Sequence, residues 1–287
     1  MTGDLNLTTE YQLKHLDLSD CDLNDGNNKQ LLLSCNSLQK LVLPRLNDCR
    51  FGYDATLDLI KNVCLKNGKT LQVLDINLQT WYSRLKGEAV HKIVKHCTEL
   101  REFNAEIMLN KNAGLEMDYL AKNLTPKVEK LSLQYARCLE DEHLRVLLSR
   151  CNQLKELIVA STSITNASLP IIIQNLKHTL EKLDVSDTNI SFDQISEFSP
   201  EFRSMPKLKF LNCSYRGCDD LKNLGKKLPK IGINQGDFHI AKTWISFTCG
   251  PYDQIKKIDG KTPGQQKGHN YEYINKHGDV WYLKYLW

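Results

Sequence analysis

Few residues in this chain have both the type and the spacing that catalysis needs. Gly260-Lys261-Thr262 ends like a loop that cradles a nucleotide phosphate. Such a loop needs a glycine at position 255, where Ile255 stands, and Pro263 blocks the helix that should follow. His91, His96 and Cys97 share one helical pattern, but imidazoles at i and i+5 do not converge as they do at i and i+4. Cys213 and Cys218 are not at a zinc-knuckle spacing and have no matched second pair. No Ser-His-Asp or Cys-His arrangement is readable. The sequence therefore predicts no enzyme, no cofactor and no metal site.

What remains is recognition chemistry. Residues that are mostly polar or charged stand between the leucines of a repeating apolar pattern. They are His15, Asp17, Lys40, Val42, Val73, Asp75, Glu102, Asn104, Lys130, Ser132, Glu156, Ile158, Lys182, Asp184, Phe210 and Asn212. Both signs of charge are mixed among them, which fits a polar peptide or protein partner better than a polyanion. Trp81, Tyr82, Tyr135 and Tyr215 follow the same segments and are candidates for an aromatic rim.

The elements that position these residues are set by that apolar pattern. Leu154-x-x-Leu157-x-Val159 is followed by a polar turn and an apolar helical segment, and then returns as Leu180-x-x-Leu183-x-Val185. The first apolar residue recurs at Leu13, Leu38, Leu71, Leu100, Val128, Leu154, Leu180 and Leu208, with a shorter echo from Leu228. The steps are 25, 33, 29, 28, 26, 26, 28 and 20 residues. This is the signature of a leucine-rich repeat. The apolar side chains point into the stack, and the residues between them face the other way along each strand. No repeat can bury its apolar side alone, so neighbours must stack. The expected fold is an α/β solenoid with a curved parallel sheet, helices on the convex side, and the recognition residues on the concave face. The expected division is a lead-in at 1–12, the repeats at 13–239 and an aromatic C-terminal tail at 240–287.

Along the chain, helices are expected over 26–35, 55–66 and 86–97, and near 140–151, 166–178 and 192–204. Thr165 or Asn166, and Ser191, are candidate N-caps. In the tail, Tyr271-Glu-Tyr-Ile and Val280-Trp-Tyr-Leu-Lys-Tyr-Leu read as two extended runs around a turn. Such a tail, if ordered, must pack on the last repeat or on the concave face, with Trp281 and Leu283 as its candidate contact residues. A net charge of +4, from 38 basic and 34 acidic residues, gives no electrostatic case for nucleic acid or a membrane. No apolar run is long enough to span a bilayer. Of ten cysteines, Cys35, Cys97 and Cys151 each stand three residues before a repeat leucine, the phase of small buried packing residues. With no secretory leader at MTGDLNLTTEYQ, the expectation is a reduced protein of the cytoplasm or nucleus, with the sequons at Asn6, Asn123, Asn166, Asn189 and Asn212 unused.

The Cys-x-x-Leu phase, the 26–28 residue steps and the turn Leu139-Glu-Asp-Glu-His-Leu144 resemble the cysteine-containing leucine-rich repeats of F-box proteins. Asp279-Val-Trp281-Tyr-Leu283-Lys284 looks like the tail of the S-phase kinase-associated F-box proteins, and Leu228-Pro-Lys-Ile-Gly-Ile-Asn234 fits their short last repeat. The resemblance implies a substrate-recognition subunit of a Skp1–cullin–F-box (SCF) ubiquitin ligase. The repeats would hold a protein target, and the tail would run back over the concave face. Residues 1–12 are too short for an F-box, so Skp1 and cullin are implied as partners only through an upstream F-box. Two other readings stand beside it. One is an F-box-less scaffold or inhibitor of the ribonuclease-inhibitor type, which the irregular steps fit less well. The other is a regulator of a small GTPase, for which Arg45, Arg84 and Arg137 follow strands but nothing selects among them.

Overall fold

The computed structural model describes residues 12–19, 21, 26–43, 53–78, 87–107, 114–213, 218–233, 254–257, 270–274 and 280–284. Nine strands form one sheet in strictly sequential order: β1 (His15–Asp17), β2 (Lys40–Val42), β3 (Val73–Leu78), β4 (Glu102–Ile107), β5 (Lys130–Ser132), β6 (Glu156–Ile158), β7 (Lys182–Asp184), β8 (Phe210–Asn212) and β9 (Gly232–Ile233). Every neighbouring pair is parallel. Between strands run α1 (Gly26–Ser34), α2 (Tyr53–Asn67), α3 (Gly87–His96), α4 (Gly114–Asn123), α5 (Asp141–Arg150), α6 (Ser168–Leu176), α7 (Phe192–Glu197), α8 (Ser199–Arg203) and α9 (Cys218–Lys227). Parallel strands in sequential order require crossovers of one hand, which put the helices on one face of the sheet. This is a leucine-rich-repeat-like α/β solenoid.

Register explains why the apolar pattern builds this sheet. Leu16, Leu41, Leu74, Phe103, Leu131, Leu157, Leu183, Leu211 and Ile233 stand opposite one another across the nine strands and are buried. The opening position of each repeat is buried as well at Leu38, Leu71, Leu100, Val128, Leu154, Leu180 and Leu208. Leu13, just before β1, the terminal strand of the described sheet, is 37% exposed. Each leucine taken from water contributes about 1.5–3 kcal/mol, so a repeat gains only in proportion to the neighbours that cover it. After β5, β6 and β7 the chain turns through Tyr135, Ser161 and Asp187, all in the left-handed region at φ 65°, 56° and 52°. Their even spacing shows that the turn belongs to the repeat.

The cysteines behave as packing residues. Cys35, Cys97 and Cys151 are buried free thiols. The Cys35 thiol donates to the Leu31 carbonyl at 3.2 Å, and Cys151 reaches back one repeat to the Thr125 carbonyl at 3.6 Å.

Several expectations need correction. The segment near 192–204 is two short helices broken at Phe198, with Pro200 in the first turn of the second, where its missing N–H costs nothing. Ser191 caps α7 by accepting from the Gln194 N–H. Thr165 and Asn166 do not cap α6, whose N-cap is Ala167. The Asn166 side chain instead accepts from the Ser191 N–H of the next repeat at 2.8 Å. A last unit starting at Leu228 would place its strand from residue 230, but Gly232 stands opposite Phe210 and Ile233 opposite Leu211. The strand therefore enters two residues late. Helix α4 escaped the periodicity because Leu115 is 82% exposed, while Met117, Leu120 and Ala121 carry its buried side.

In the tail, β10 (Gln254–Lys257), β11 (Asn270–Ile274) and β12 (Val280–Lys284) form a separate three-stranded antiparallel sheet. No described helix is long and apolar enough to cross a membrane.

Candidate functional site

The face of the sheet opposite the helices carries the side chains that alternate with the buried leucines, and register sorts them into rows. The first-position row runs His15, Lys40, Val73, Glu102, Lys130, Glu156, Lys182, Phe210 and Gly232. Parallel in-register strands set these side chains one strand spacing apart, about 4.8 Å, so alternating signs pair along the row. Lys130 Nζ lies 2.9 Å from Glu102 and 3.9 Å from Glu156. Lys182 lies 3.4 Å from Glu156 and reaches over the Phe210 ring, 5.9 Å from its centroid. The bond to Glu102 raises the Lys130 ammonium above its ordinary pKa. Over β4–β7 this row satisfies its own charges. On β1 and β2, at the end of the described sheet, His15, Asp17 and Lys40 are exposed.

The third-position row is of another kind. It runs Asp17, Val42, Asp75, Asn104, Ser132, Ile158, Asp184 and Asn212. It holds three carboxylates and no cationic residue. Asn104 Nδ2 donates to Asp75 Oδ2 at 3.1 Å, and Asn212 Nδ2 donates to Asp184 Oδ2 at 2.9 Å. In both pairs the asparagine Oδ1 is buried and has no partner.

Asp17 and Asp184 occupy the same place in two copies of one local motif, Leu-Asp-Leu-Ser and Leu-Asp-Val-Ser. Each carboxylate accepts from the N–H two residues on, Ser19 at 3.0 Å and Ser186 at 2.9 Å. At the exposed edge, the Ser19 hydrogen bonds hold the Asp17 carboxyl below its ordinary pKa. Asp184 is fully buried, and burial outweighs the same kind of bonds and pushes its carboxyl up. The neighbouring Cys213 thiol is raised to about 12 by burial and by the Asp184 charge.

Of the residues expected to bind, Glu102, Lys130, Glu156, Lys182 and Phe210 are thus brought into one contact chain. Asp75 with Asn104, and Asp184 with Asn212, form two matched pairs, and Ser132 and Ile158 lie between them. Burial of Ser132, Asp184 and Asn212 was not expected of a binding face. Trp281 and Leu283 fall on β12, opposite Tyr273 and Tyr271 of β11, in the separate small sheet. Tyr135 takes the left-handed turn after β5. Trp81, Tyr82, Tyr215, Arg45 and Arg84 lie outside the described residues.

Sequence reasoning missed a further charged row one residue before the first. Glu129 accepts from Arg101 at 2.7 Å and Lys155 at 2.5 Å, and Lys209 donates to Glu181 at 2.7 Å. The signal was present: the same phase, read one position earlier. It also missed Asn67, fully buried at the end of α2. Its Oδ1 accepts from the Leu38 N–H at 2.9 Å, and its Nδ2 donates to the Cys35 and Val63 carbonyls at 3.0 and 3.2 Å. On the helical side, Asp141 ties two repeats together by accepting from the Thr165 N–H at 2.8 Å and from the Thr165 and Ser168 hydroxyls. Among the described residues no group of His, Cys, Asp and Glu is arranged to hold a metal ion.

No protein-family model and no curated protein matches the sequence. Solved structures that share features of the architecture include yeast Rad7 from its complex with Elc1, at 13% identity over 78% of this chain and 76% of that one, with a TM-score of 0.38. The C-terminal domain of Caenorhabditis elegans tropomodulin aligns at 12% identity over 61% and 92%, TM-score 0.36. An internalin of Listeria monocytogenes aligns at 15% identity over 75% and 58%, TM-score 0.35. At such identities and scores these likenesses carry no functional argument. The solenoid is read from this chain's own strand register.

Proposed function

We propose that the chain is a non-enzymatic protein-recognition module that holds a protein segment on the strand face opposite its helices. We propose further that it serves substrate recognition for an SCF-type ubiquitin ligase. The observation that carries the recognition reading is the third-position row, a mostly polar line on rigid strands with two buried acceptors left open. Rigid scaffolds that present side chains in rows favour binding, because little ordering is needed when the partner arrives. The ligase half is supported by the Cys-x-x-Leu phase of Cys35, Cys97 and Cys151 and by the tail segment around Trp281 and Leu283, in their resemblance to F-box repeat proteins.

The test is site-directed photo-crosslinking in cells. A photo-reactive residue replaces Glu156 on the strand face or Arg145 on the exposed side of α5. The reading expects a discrete protein adduct from position 156 and none from 145. Equal adducts from both positions, or none from either, would overturn it. The same material, probed for Skp1 and cullin, decides the ligase half. Their absence from the 156 adduct complex refutes ligase membership and leaves the binding face standing.

A further inference from the structure

The proposed binding reading does not say what chemistry the strand face selects, and the third-position row does. Asp184 Oδ1 accepts twice, from the Ser186 N–H and hydroxyl at 2.9 and 2.6 Å, and Oδ2 once, from Asn212 at 2.9 Å. A carboxylate has about four acceptor positions, so Oδ2 keeps one. Asn212 Oδ1 keeps both of its own. The two side chains are 0% and 3% exposed, and no described cation pairs with Asp184. A buried negative charge without a counter-charge is costly, and so is a buried acceptor without a donor. Exchanging the Asn212 amide oxygen and nitrogen does not help, since an oxygen would then face the carboxylate. The group that relieves both costs at once is a cation bearing several N–H donors.

The asparagine half of the arrangement occurs twice. Asn104 repeats the geometry on β4, donating to Asp75 and leaving its own Oδ1 buried and open. From β4 to β8 along the row are four strand steps, about 19 Å at about 4.8 Å each. An extended peptide covers that distance in about six residues at roughly 3.3 Å per residue. Side chains six apart in an extended segment point the same way. Between the two pairs the row offers Ser132 and Ile158, which carry no charge. The flanking Glu102–Lys130–Glu156–Lys182 row neutralises itself, so it neither repels nor captures a basic segment.

We propose that this face binds an extended peptide, running across the strands, that carries two Lys or Arg side chains six residues apart. One is seated against Asn212 and Asp184, the other against Asn104. Neither open oxygen touches solvent in the free chain. The incoming groups must therefore insert between the rows, which a slim aliphatic stem with a charged head can do. The inference rests on the recognition reading above and narrows its ligand.

The experiment is display selection of random twelve-residue peptides on the purified full chain, followed by anisotropy with the selected peptides. The expected pool is enriched more than tenfold in basic pairs six apart. Affinity should fall at least tenfold for Asp184→Asn, and also when the two basic residues become citrulline or norleucine. Asp184→Asn is nearly isosteric and its Oδ1 can still accept from Ser186, while Asn212 must turn its amide over to keep a bond, so unchanged far-UV circular dichroism is required of the variant before its affinity is read. Asn104→Leu tests the second pair independently. Peptides that bind and are lost on Glu156→Lys, yet show no basic pairing or ignore Asp184→Asn, overturn this inference and leave the recognition reading. A chain that selects no peptide, or only peptides indifferent to every strand-face substitution, overturns both.

Discussion

Asn67→Ala is the substitution whose cost can be worked out most directly. Asn67 is fully buried, and its amide joins three segments: the Leu38 N–H at the start of the second repeat, the Cys35 carbonyl at the end of α1, and the Val63 carbonyl one turn back in α2. Leu38 and Cys35 are themselves 0% exposed, so water does not replace the lost bonds. Each buried group left without a partner costs about 1–3 kcal/mol. Two such groups are left outright, and the Val63 carbonyl loses a third contact. The expected loss is therefore about 2–6 kcal/mol, concentrated where α2 meets β2. Asn175→Ala is the control. Asn175 is only part-buried and makes a single bond within its own helix, to the Ile171 carbonyl, so it should lose about 0.5–1.5 kcal/mol. Because a solenoid can open locally, the assay is urea unfolding read together with amide hydrogen exchange. Exchange should rise in β1–β3 and hardly change in β6–β8. A loss for Asn67→Ala no larger than for Asn175→Ala, or exchange raised evenly along the sheet, would refute the assignment of Asn67 as the tie between repeats.

Other outcomes follow from the same geometry. A Cβ at Gly68 would stand 2.4 Å from the His96 carbonyl oxygen and 2.5 Å from that of Cys64, both backbone atoms. Gly68→Ala should therefore cost at least about 1–3 kcal/mol, measured by urea unfolding. Burial raises the Cys138 thiol to about 12 and Cys151 to about 11. Peptide-mapped alkylation at pH 8 should modify the half-buried Cys21 well before either, and equal rates would contradict the packing role. Glu129 is held below its ordinary carboxylate pKa by Lys155 and Arg101. Its contribution is present above the unfolded value, near 4.5, and is lost as pH falls through the lower folded value. Because the pair partners are about half exposed, Glu129→Gln should cost no more than about 1 kcal/mol at neutral pH, and less in high salt.

The sequence carried the repeat because the repeat is a period, and a period survives without knowledge of any contact. Leu154 to Val185 specify strand, crossover and strand by apolar spacing alone, and eight of the nine strands fall two residues after the opening apolar position of each repeat. The failures came at single places that the period does not describe. Pro200 splits one expected helix into α7 and α8. Asn166 serves the next repeat rather than its own helix. The last strand slips by two residues after a short step. For Asn166 local propensity is a weak guide, because the winning partner lies a whole repeat away in sequence.

The candidate site divides along the same line. Which residues share a face follows from period two, so its membership was legible. What each residue contributes was not, since that depends on its neighbour one repeat over. Glu102, Lys130, Glu156 and Lys182 look like recognition charges in the sequence, yet in the sheet they face one another, and paired surface charges contribute little. Asp17 and Asp184 look equivalent in the sequence, yet one is exposed and the other buried against Asn212. The paired charges neutralise their own row, and under the proposed recognition reading selectivity falls to the quieter row beside them. A partner is discriminated most sharply where a missing hydrogen bond leaves a buried group unpaired. On the described strand face, the buried groups in that condition are Asn104 Oδ1 and Asn212 Oδ1.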